Sequence, residues 1–170
     1  MANFQTQVKV AQAPAIAGDF ATTNPRYSVP AGPGGLIAGT SGVTVGLFAW
    51  LSSSTVDADG APALVNNTGS GVPAGIVPRE QQALITTYLA EAGNVVPAGF
   101  PVTVISAADF WVTNAGASAV TVGMVAFAKT ADGTISFAAT GATVAGSVET
   151  TWKAVSAGAA GEIIKISRLP

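Results

Sequence analysis

Alternation of apolar and polar residues with a period of two runs through most of this 170-residue chain. Successive side chains of a β-strand point to opposite faces of the sheet, so this period is typical of strands with one buried face. Valine and threonine carry most of the pattern, and their branched Cβ atoms suit a pleated sheet better than a helix. The alternating residues are Phe4, Thr6, Val8 and Val10; Val43, Val45 and Leu47; Val102 and Val104; Val120, Val122 and Met124; and Ile135 and Phe137.

Turn sequences separate these runs, among them Pro-Gly-Gly at 33–35, Asp59-Gly60 and Asp132-Gly133. Many short strands joined by such turns predict a mainly β fold, a single-domain antiparallel β-sandwich or barrel. Residues 79–91 begin with good helix formers but continue with a β-branched and aromatic run at 85–88. We therefore expect a short turn near 79–83 that leads into a strand.

Part of the chain is repeated. The sequence AGTSGVTVGLFAWL at 38–51 matches AGASAVTVGMVAFA at 115–128 in eight of fourteen positions, at a spacing of 77 residues. Upstream of each copy, GDFATTN at 18–24 is similar to ADFWVTN at 108–114. This order of elements predicts an internally duplicated β-motif, with chance similarity in an Ala, Gly, Val and Thr-rich chain as the alternative.

Charged residues make up only 9% of the chain, against roughly 25% in ordinary soluble domains. Partners that cover the surface, or a surface of Ser, Thr, Asn and Gly, would account for this. Histidine and cysteine are absent, which excludes imidazole bases, thiolate nucleophiles and zinc clusters. Asp57 and Asp59 precede Gly60 as in the first half of a calcium loop, but Thr68 stands where the loop needs glutamate. We predict no enzymatic activity, no metal and no cofactor.

The charge pattern also bears on nucleic acids and membranes. The seven Lys and Arg residues are scattered, so nucleic-acid binding is not expected. Residues 27–56 carry no charge, but their most apolar part, 36–51, is shorter than a membrane-spanning helix and contains three glycines. The first residues lack the pattern of a signal peptide, so we expect no membrane insertion and synthesis in the cytoplasm.

Three tryptophans are candidates for binding or for core packing. Trp50 and Trp111 lie in alternating segments, which favours the core. Trp152 lies near the end of the chain beside Lys153, where interface and core are equal alternatives.

Several segments together resemble capsid cement proteins of tailed bacteriophages, also called decoration proteins. They are MANFQTQV, GDFATTNPR, AGPGGLIAG, REQQALITTYLAEAGNVVPAGFPVTVISAADFWV and SAGAAGEIIKIS. The resemblance implies a β-rich structural protein, of jelly-roll or β-tulip-like form, that binds the outside of the capsid and joins neighbouring major capsid subunits. It also implies a homotrimer, with the major capsid protein and the chain itself as partners, and a place on the outer surface of the virion.

Within this role, residues 1–30 are predicted to form an N-terminal arm that reaches a neighbouring chain or the capsid, with an ordinary edge strand as the alternative. Prolines at 14, 25 and 30 disfavour a central strand there. Residues 31–170 form the predicted β-rich decoration domain. Two other functions stay open: a tail or fibre component, and a module that binds host-surface glycans through an exposed Trp or Tyr. The predicted capsid or subunit interface residues are Phe4, Val8, Val10, Tyr27 and Trp152.

Overall fold

The computed structural model describes residues 15–80 and 93–168, and these residues form twelve strands and no helix. None of them therefore belongs to a helix that could cross a membrane. Arg79 and Glu80 form a turn, while the rest of the turn and strand predicted between 79 and 91 lies outside the described residues. The strands are β1 (Tyr27–Ser28), β2 (Ile37–Ala38), β3 (Val43–Thr44), β4 (Phe48–Val56), β5 (Pro62–Asn66), β6 (Gly75–Ile76), β7 (Val95–Val96), β8 (Ile105–Thr113), β9 (Val125–Lys129), β10 (Ile135–Ala138), β11 (Ser147–Ala154) and β12 (Ile163–Arg168).

One large sheet contains ten of these strands, in the order β10, β9, β11, β12, β8, β6, β4, β5, β2, with β1 attached to β8. Strands β3 and β7 form a separate pair. The large sheet does not close on itself, so of the two predicted forms the fold is of the sandwich type, in a single domain. The predicted antiparallel pairing holds throughout except between β2 and β5, which run parallel.

Two hydrophobic cores share strand β4. Phe48 and Trp50 face the aromatic core, in which they pack with Phe110, Trp152 and aliphatic residues of β8, β11 and β12. Ala49, between them, faces the valine core, whose main members are Val43, Val45, Val65, Val77, Val96 and Val104. Burial on both faces explains why β4 begins with consecutive apolar residues instead of a strict alternation.

Glycine turns interrupt two of the predicted strands. β3 ends at Thr44, and a turn containing Gly46, at φ +76°, precedes β4. The turn changes which residue faces inward, so Phe48 is fully buried and Leu47 is only half-buried. Gly123, at φ +92°, interrupts the second run in the same way and leaves Val122 exposed between buried Val120 and half-buried Met124. The prediction of continuous strands through 43–47 and 120–124 is therefore wrong.

The two copies of the repeat have the same backbone pairing. Phe48 pairs with Ile76 in the first copy, and Val125 pairs with Lys153 in the second. Each residue of the second pair lies 77 positions after its counterpart in the first pair. The amide of Gly46 donates to the Val77 carbonyl at 2.8 Å, and the amide of Gly123 donates to the Ala154 carbonyl at 2.8 Å. Each copy continues into a hairpin, β4–β5 or β9–β10, whose turn contains the predicted Asp-Gly pair. The structure thus confirms the duplicated β-motif.

The two turn glycines provide a matched pair of substitutions. A left-handed backbone disfavours any side chain, so Gly123→Ala, which has open space around it, is expected to lower the free energy of unfolding by about 1 kcal/mol. A Cβ on Gly46 would lie 2.8 Å from the carbonyl carbon of Ala17, so Gly46→Ala is expected to cost about 2–3 kcal/mol. Urea unfolding of both variants checks this, and equal losses would contradict the structural difference between the two turns.

Candidate interaction surface

The N-terminal segment, defined here as residues 15–30, lies along strand β8. The amide of Gly18 donates to the Trp111 carbonyl at 2.8 Å, and the amide of Trp111 donates to the Asp19 carbonyl at 2.9 Å. Further along, Tyr27 of β1 pairs with Ala107. Residues 15–30 thus pack on β8, whereas residues 1–14, which contain the alternating run of the predicted arm or edge strand, lie outside the described residues.

Buried Asp109 of β8 anchors this segment. One carboxylate oxygen of Asp109 accepts hydrogen bonds from the Thr22 hydroxyl at 2.6 Å and from the Asn24 side-chain amide at 2.7 Å. Burial by itself raises the pKa of the Asp109 carboxyl, but hydrogen bonds from Ser167, Thr22 and Asn24 and the positive charge of Lys165 outweigh it, so the pKa lies below its ordinary value. The carboxylate is thus ionised at neutral pH and joins residues that are 87 positions apart.

A row of aromatic rings connects the same segment to the aromatic core. The guanidinium of Arg26 lies 3.5 Å from the ring centroid of Phe20, and Phe20 stacks on Phe110 at 4.7 Å between centroids. Phe110 contacts Trp152 at 5.9 Å. Phe20 and Phe110 belong to the two copies of the repeated Asp-Phe sequence, and they face each other as an antiparallel bridge. The repeated phenylalanines therefore stabilise the contact between the two halves.

Of the predicted interface residues, Tyr27 is 47% exposed and Trp152 is only 1% exposed. Trp152 faces inward from β11 and fills the centre of the aromatic core, so the structure supports the core alternative and corrects the assignment of this residue to an interface. Phe4, Val8 and Val10 lie outside the described residues.

The other two tryptophans differ from each other. Trp50 is buried, as predicted, and its indole N–H donates to the Gly71 carbonyl at 2.8 Å. Trp111 is only half-buried, because it points away from the aromatic core, and the ammonium of Lys165 lies 5.0 Å from its ring centroid. The core prediction for Trp111 is therefore wrong. Among the tryptophans and tyrosines that the structure describes, Trp111 and Tyr27 are the two with enough exposure to stack on a sugar ring.

The chemistry offered by the described residues is sparse. They contain no group of three or more acidic, His or Cys side chains placed to hold a metal ion. Asp57 serves its own turn, since its Oδ1 accepts the amides of Asp59 and Ala61, each at 3.0 Å. One shallow hollow, of about 370 Å³, is lined mainly by hydroxyl and amide groups from Ser52, Ser53, Asn66, Thr68 and Ser70.

Exposed large apolar side chains are the most distinctive surface feature of the described residues, and the sequence analysis named only Tyr27 among them as an interface residue. Val122, 67% exposed, has the largest exposed fraction. Its alternation with Val120 and Met124 predicts a buried face, and only the position of the glycine next to it could have indicated otherwise. Within residues 15–80 and 93–168, the exposed large apolar residues are Ile16, Tyr27, Val56, Val72, Val95, Phe100, Val122 and Val155.

Comparisons with known proteins agree on one kind of particle. The family model described as XM1 gp53 minor capsid protein matches residues 4–168. The chain is also similar in structure to one in the solved capsid of Myoviridae phage XM1, with a TM-score of 0.62, 18% sequence identity and 96% of each chain covered. At that identity the structural similarity supports the fold. No curated protein sequence matches the chain.

Proposed function

The chain belongs to the XM1 gp53 minor capsid protein family and is therefore a capsid-associated structural protein of a bacteriophage, and we propose that it is a cement protein on the outer surface of the shell. In this role it joins neighbouring major capsid subunits and associates with itself, as a homotrimer. The observation that carries the proposal is the match of the family model over residues 4–168.

The surface chemistry supports such a role. Protein interfaces are depleted in charge at their centres, and this chain has only 16 charged residues. Its exposed apolar side chains are spread over several loops and strand ends, which suits several contacts of moderate size better than one deep ligand pocket. Contacts that are individually weak become sufficient when they are repeated around a closed shell.

We assign the contact with a neighbouring chain or the capsid to the first residues of the chain. Residues 15–30 are held on β8, so residues 1–14 are the part of the predicted arm that could extend to another molecule. Their alternating Phe4, Val8 and Val10 could form one face of an added strand, in which main-chain hydrogen bonds supply affinity and alternate side chains supply specificity.

Deletion of residues 2–12 tests this assignment. We expect the variant to fold with an unchanged melting temperature, since the cores and the Asp109 anchor remain, and to lose at least tenfold in occupancy on purified shells. Occupancy is measured by quantitative gel analysis of sedimented shells, with the full-length protein as the control. Full occupancy of the shortened protein would contradict the assignment.

Cryo-electron microscopy of decorated shells tests the position of the full-length protein. We expect its density on the outer surface, and density inside the shell would contradict the outer-surface proposal.

A further inference from the structure

Two lysines lie on the outer face of the large sheet, opposite to the aromatic core. Lys165 of β12 pairs with Trp111 of β8, and its ammonium lies 5.0 Å from the centroid of the indole ring. Lys153 of β11 pairs with Ser167 of β12, two positions after Lys165, so both lysines point to the same face. No carboxylate of residues 15–80 and 93–168 lies within 4 Å of either ammonium. Val155, which is 44% exposed, donates its amide to the Lys165 carbonyl at 2.8 Å.

We call Trp111, Lys153, Val155 and Lys165 the lysine surface. Acidic residues of the neighbouring chain segments are engaged elsewhere. Asp109 is buried beneath the N-terminal segment, Asp19 forms an ion pair with Arg79 at 3.5 Å, and Glu149 accepts the amide of Gly141. The exposed charge of the lysine surface is therefore positive, although the chain as a whole has a net charge of −2.

The turn between β4 and β5 carries the opposite charge. Asp57 and Asp59 lie in this turn, and no Lys or Arg nitrogen of the described chain lies within 4 Å of either carboxylate. The last four residues of β4 are exposed, and the last of them, Val56, is 51% exposed. We call residues 56–60 the acidic tip.

The acidic tip is held in one shape before any partner binds. Asp57 Oδ1 accepts the amides of Asp59 and Ala61, each at 3.0 Å, and Asp57 Oδ2 is buried against Gly32. Asp59 is therefore the carboxylate of the tip that can contact another molecule. A tip held in this way loses little conformational entropy on binding.

We propose that the acidic tip of one copy of this chain binds the lysine surface of a second copy. The inference rests on the self-association in the proposed function and names the two surfaces that mediate it. Charge complementarity supports this occupant. Of the six Lys and Arg residues that the structure describes, three form ion pairs inside the chain, and Arg168 donates to the Ser106 carbonyl at 2.9 Å. The remaining two are Lys153 and Lys165, and the acidic tip offers them a carboxylate beside an exposed valine.

The order of the strands explains why the contact joins two copies. In the large sheet, β4 and β5 lie on one side of β6, whereas β8, β12 and β11 lie on the other side. Each copy therefore presents one acidic tip and one lysine surface at separate places. A head-to-tail contact between two different patches forms a ring when its rotation closes, and a ring of three is a homotrimer.

Charge exchange tests the contact. Asp59→Lys and Lys153→Asp are each expected to weaken self-association at least tenfold in analytical ultracentrifugation, because like charges then face each other. The double variant D59K/K153D has the net charge of the wild-type protein and should recover at least threefold of this loss. Val72→Lys, at a position 63% exposed on a loop outside both surfaces, is the control and should associate like the wild-type protein. Since all these side chains are exposed, the variants should unfold like the wild-type protein at concentrations at which it is monomeric.

Wild-type association by both single variants, or no recovery in the double variant, would overturn the proposal. So would a wild-type protein that is monomeric at all concentrations. Shell occupancy of the wild-type protein is measured separately, so failure here leaves the proposed function to its own test.

Disulfide trapping identifies the partner surface. The chain contains no cysteine, so introduced cysteines report only on their own contact. Val56→Cys chains are mixed with an equal amount of Val155→Cys chains and oxidised, which leaves the charges of both surfaces in place. We expect a linked dimer that joins residues 56 and 155, in greater yield than either variant forms alone. An equal yield from the single variants, or a disulfide within one chain when both cysteines are present in it, would contradict the contact between copies.

Discussion

Replacement of Trp152 by alanine is expected to lower the free energy of unfolding by about 3–5 kcal/mol, a large part of the roughly 5–15 kcal/mol of a typical domain. Trp152 is the largest fully buried side chain, and it contacts the rings of both Phe48 and Phe110. Its removal leaves a cavity where β4, β8 and β11 meet, and neighbouring rings can fill it only in part. Urea unfolding followed by far-ultraviolet circular dichroism measures the loss.

Two further variants make the Trp152 result specific. Trp152→Phe keeps an aromatic ring and is expected to lose about 1–3 kcal/mol, so it reports on the site even if the alanine variant does not fold. Trp111→Ala removes a half-buried ring from the opposite face of the sheet, where it interacts with Lys165, and is expected to lose about 1–2 kcal/mol. A similar loss for Trp111→Ala and Trp152→Ala would contradict the central position of Trp152.

Replacement of Asp109 by alanine is expected to lower the free energy of unfolding by about 2–3 kcal/mol at neutral pH. The substitution removes hydrogen bonds to a charged group and leaves the donors of these bonds without an acceptor. Thr22 and Asn24 then lose their common acceptor. Because both donors lie in the N-terminal segment, trypsin cleavage after Arg26 should become faster than in the wild-type protein. Asp59→Asn, in an exposed turn, is the control and should change neither stability nor cleavage.

The Asp109 carboxylate also makes the stability of the folded protein depend on pH, and the direction of its pKa shift predicts a loss of stability in acid. The pKa of Asp109 is lower in the folded protein than in the unfolded chain, so its stabilisation is fully present above the unfolded value of about 3.9 and is lost as the pH falls through the folded value. The stability difference between the wild-type protein and D109N should therefore shrink below about pH 4. The folded pKa of Asp132 is also lowered, against the effect of burial, by Lys129 and Thr134, so some acid sensitivity should remain in D109N. A difference that stays constant from pH 7 to pH 2 would refute this role of Asp109.

The sequence pattern predicted the fold well where a strand or a turn depends only on neighbouring residues. The Asp-Gly turns and the run from Ile135 lie where the pattern placed them, because hairpins and alternation are local properties. The pattern failed at Gly46 and Gly123, where a single left-handed residue changes which side chains face inward. It also could not predict β4, whose two faces are buried in different cores.

The candidate interaction surface was harder to predict than the fold, because it depends on contacts between residues that are distant in sequence. The anchor between Asp109 and Thr22 joins two segments that no local pattern connects. Val45 and Val122 occupy equivalent positions of a repeat, yet one is buried and the other exposed, because only the first has chain lying over it. Their difference follows from topology and not from the identity of the two residues.

The contact between Phe20 and Phe110 also determines when folding can be completed during synthesis. The ribosome must add about ninety residues after Phe20 before its partner ring exists, which takes roughly 5–20 s at typical elongation rates. Throughout that interval the first segment has no strand to dock on, and β12, on the other side of β8, is made later still. Docking of the first segment, and with it completion of the large sheet, therefore has to wait until β8 has left the exit tunnel.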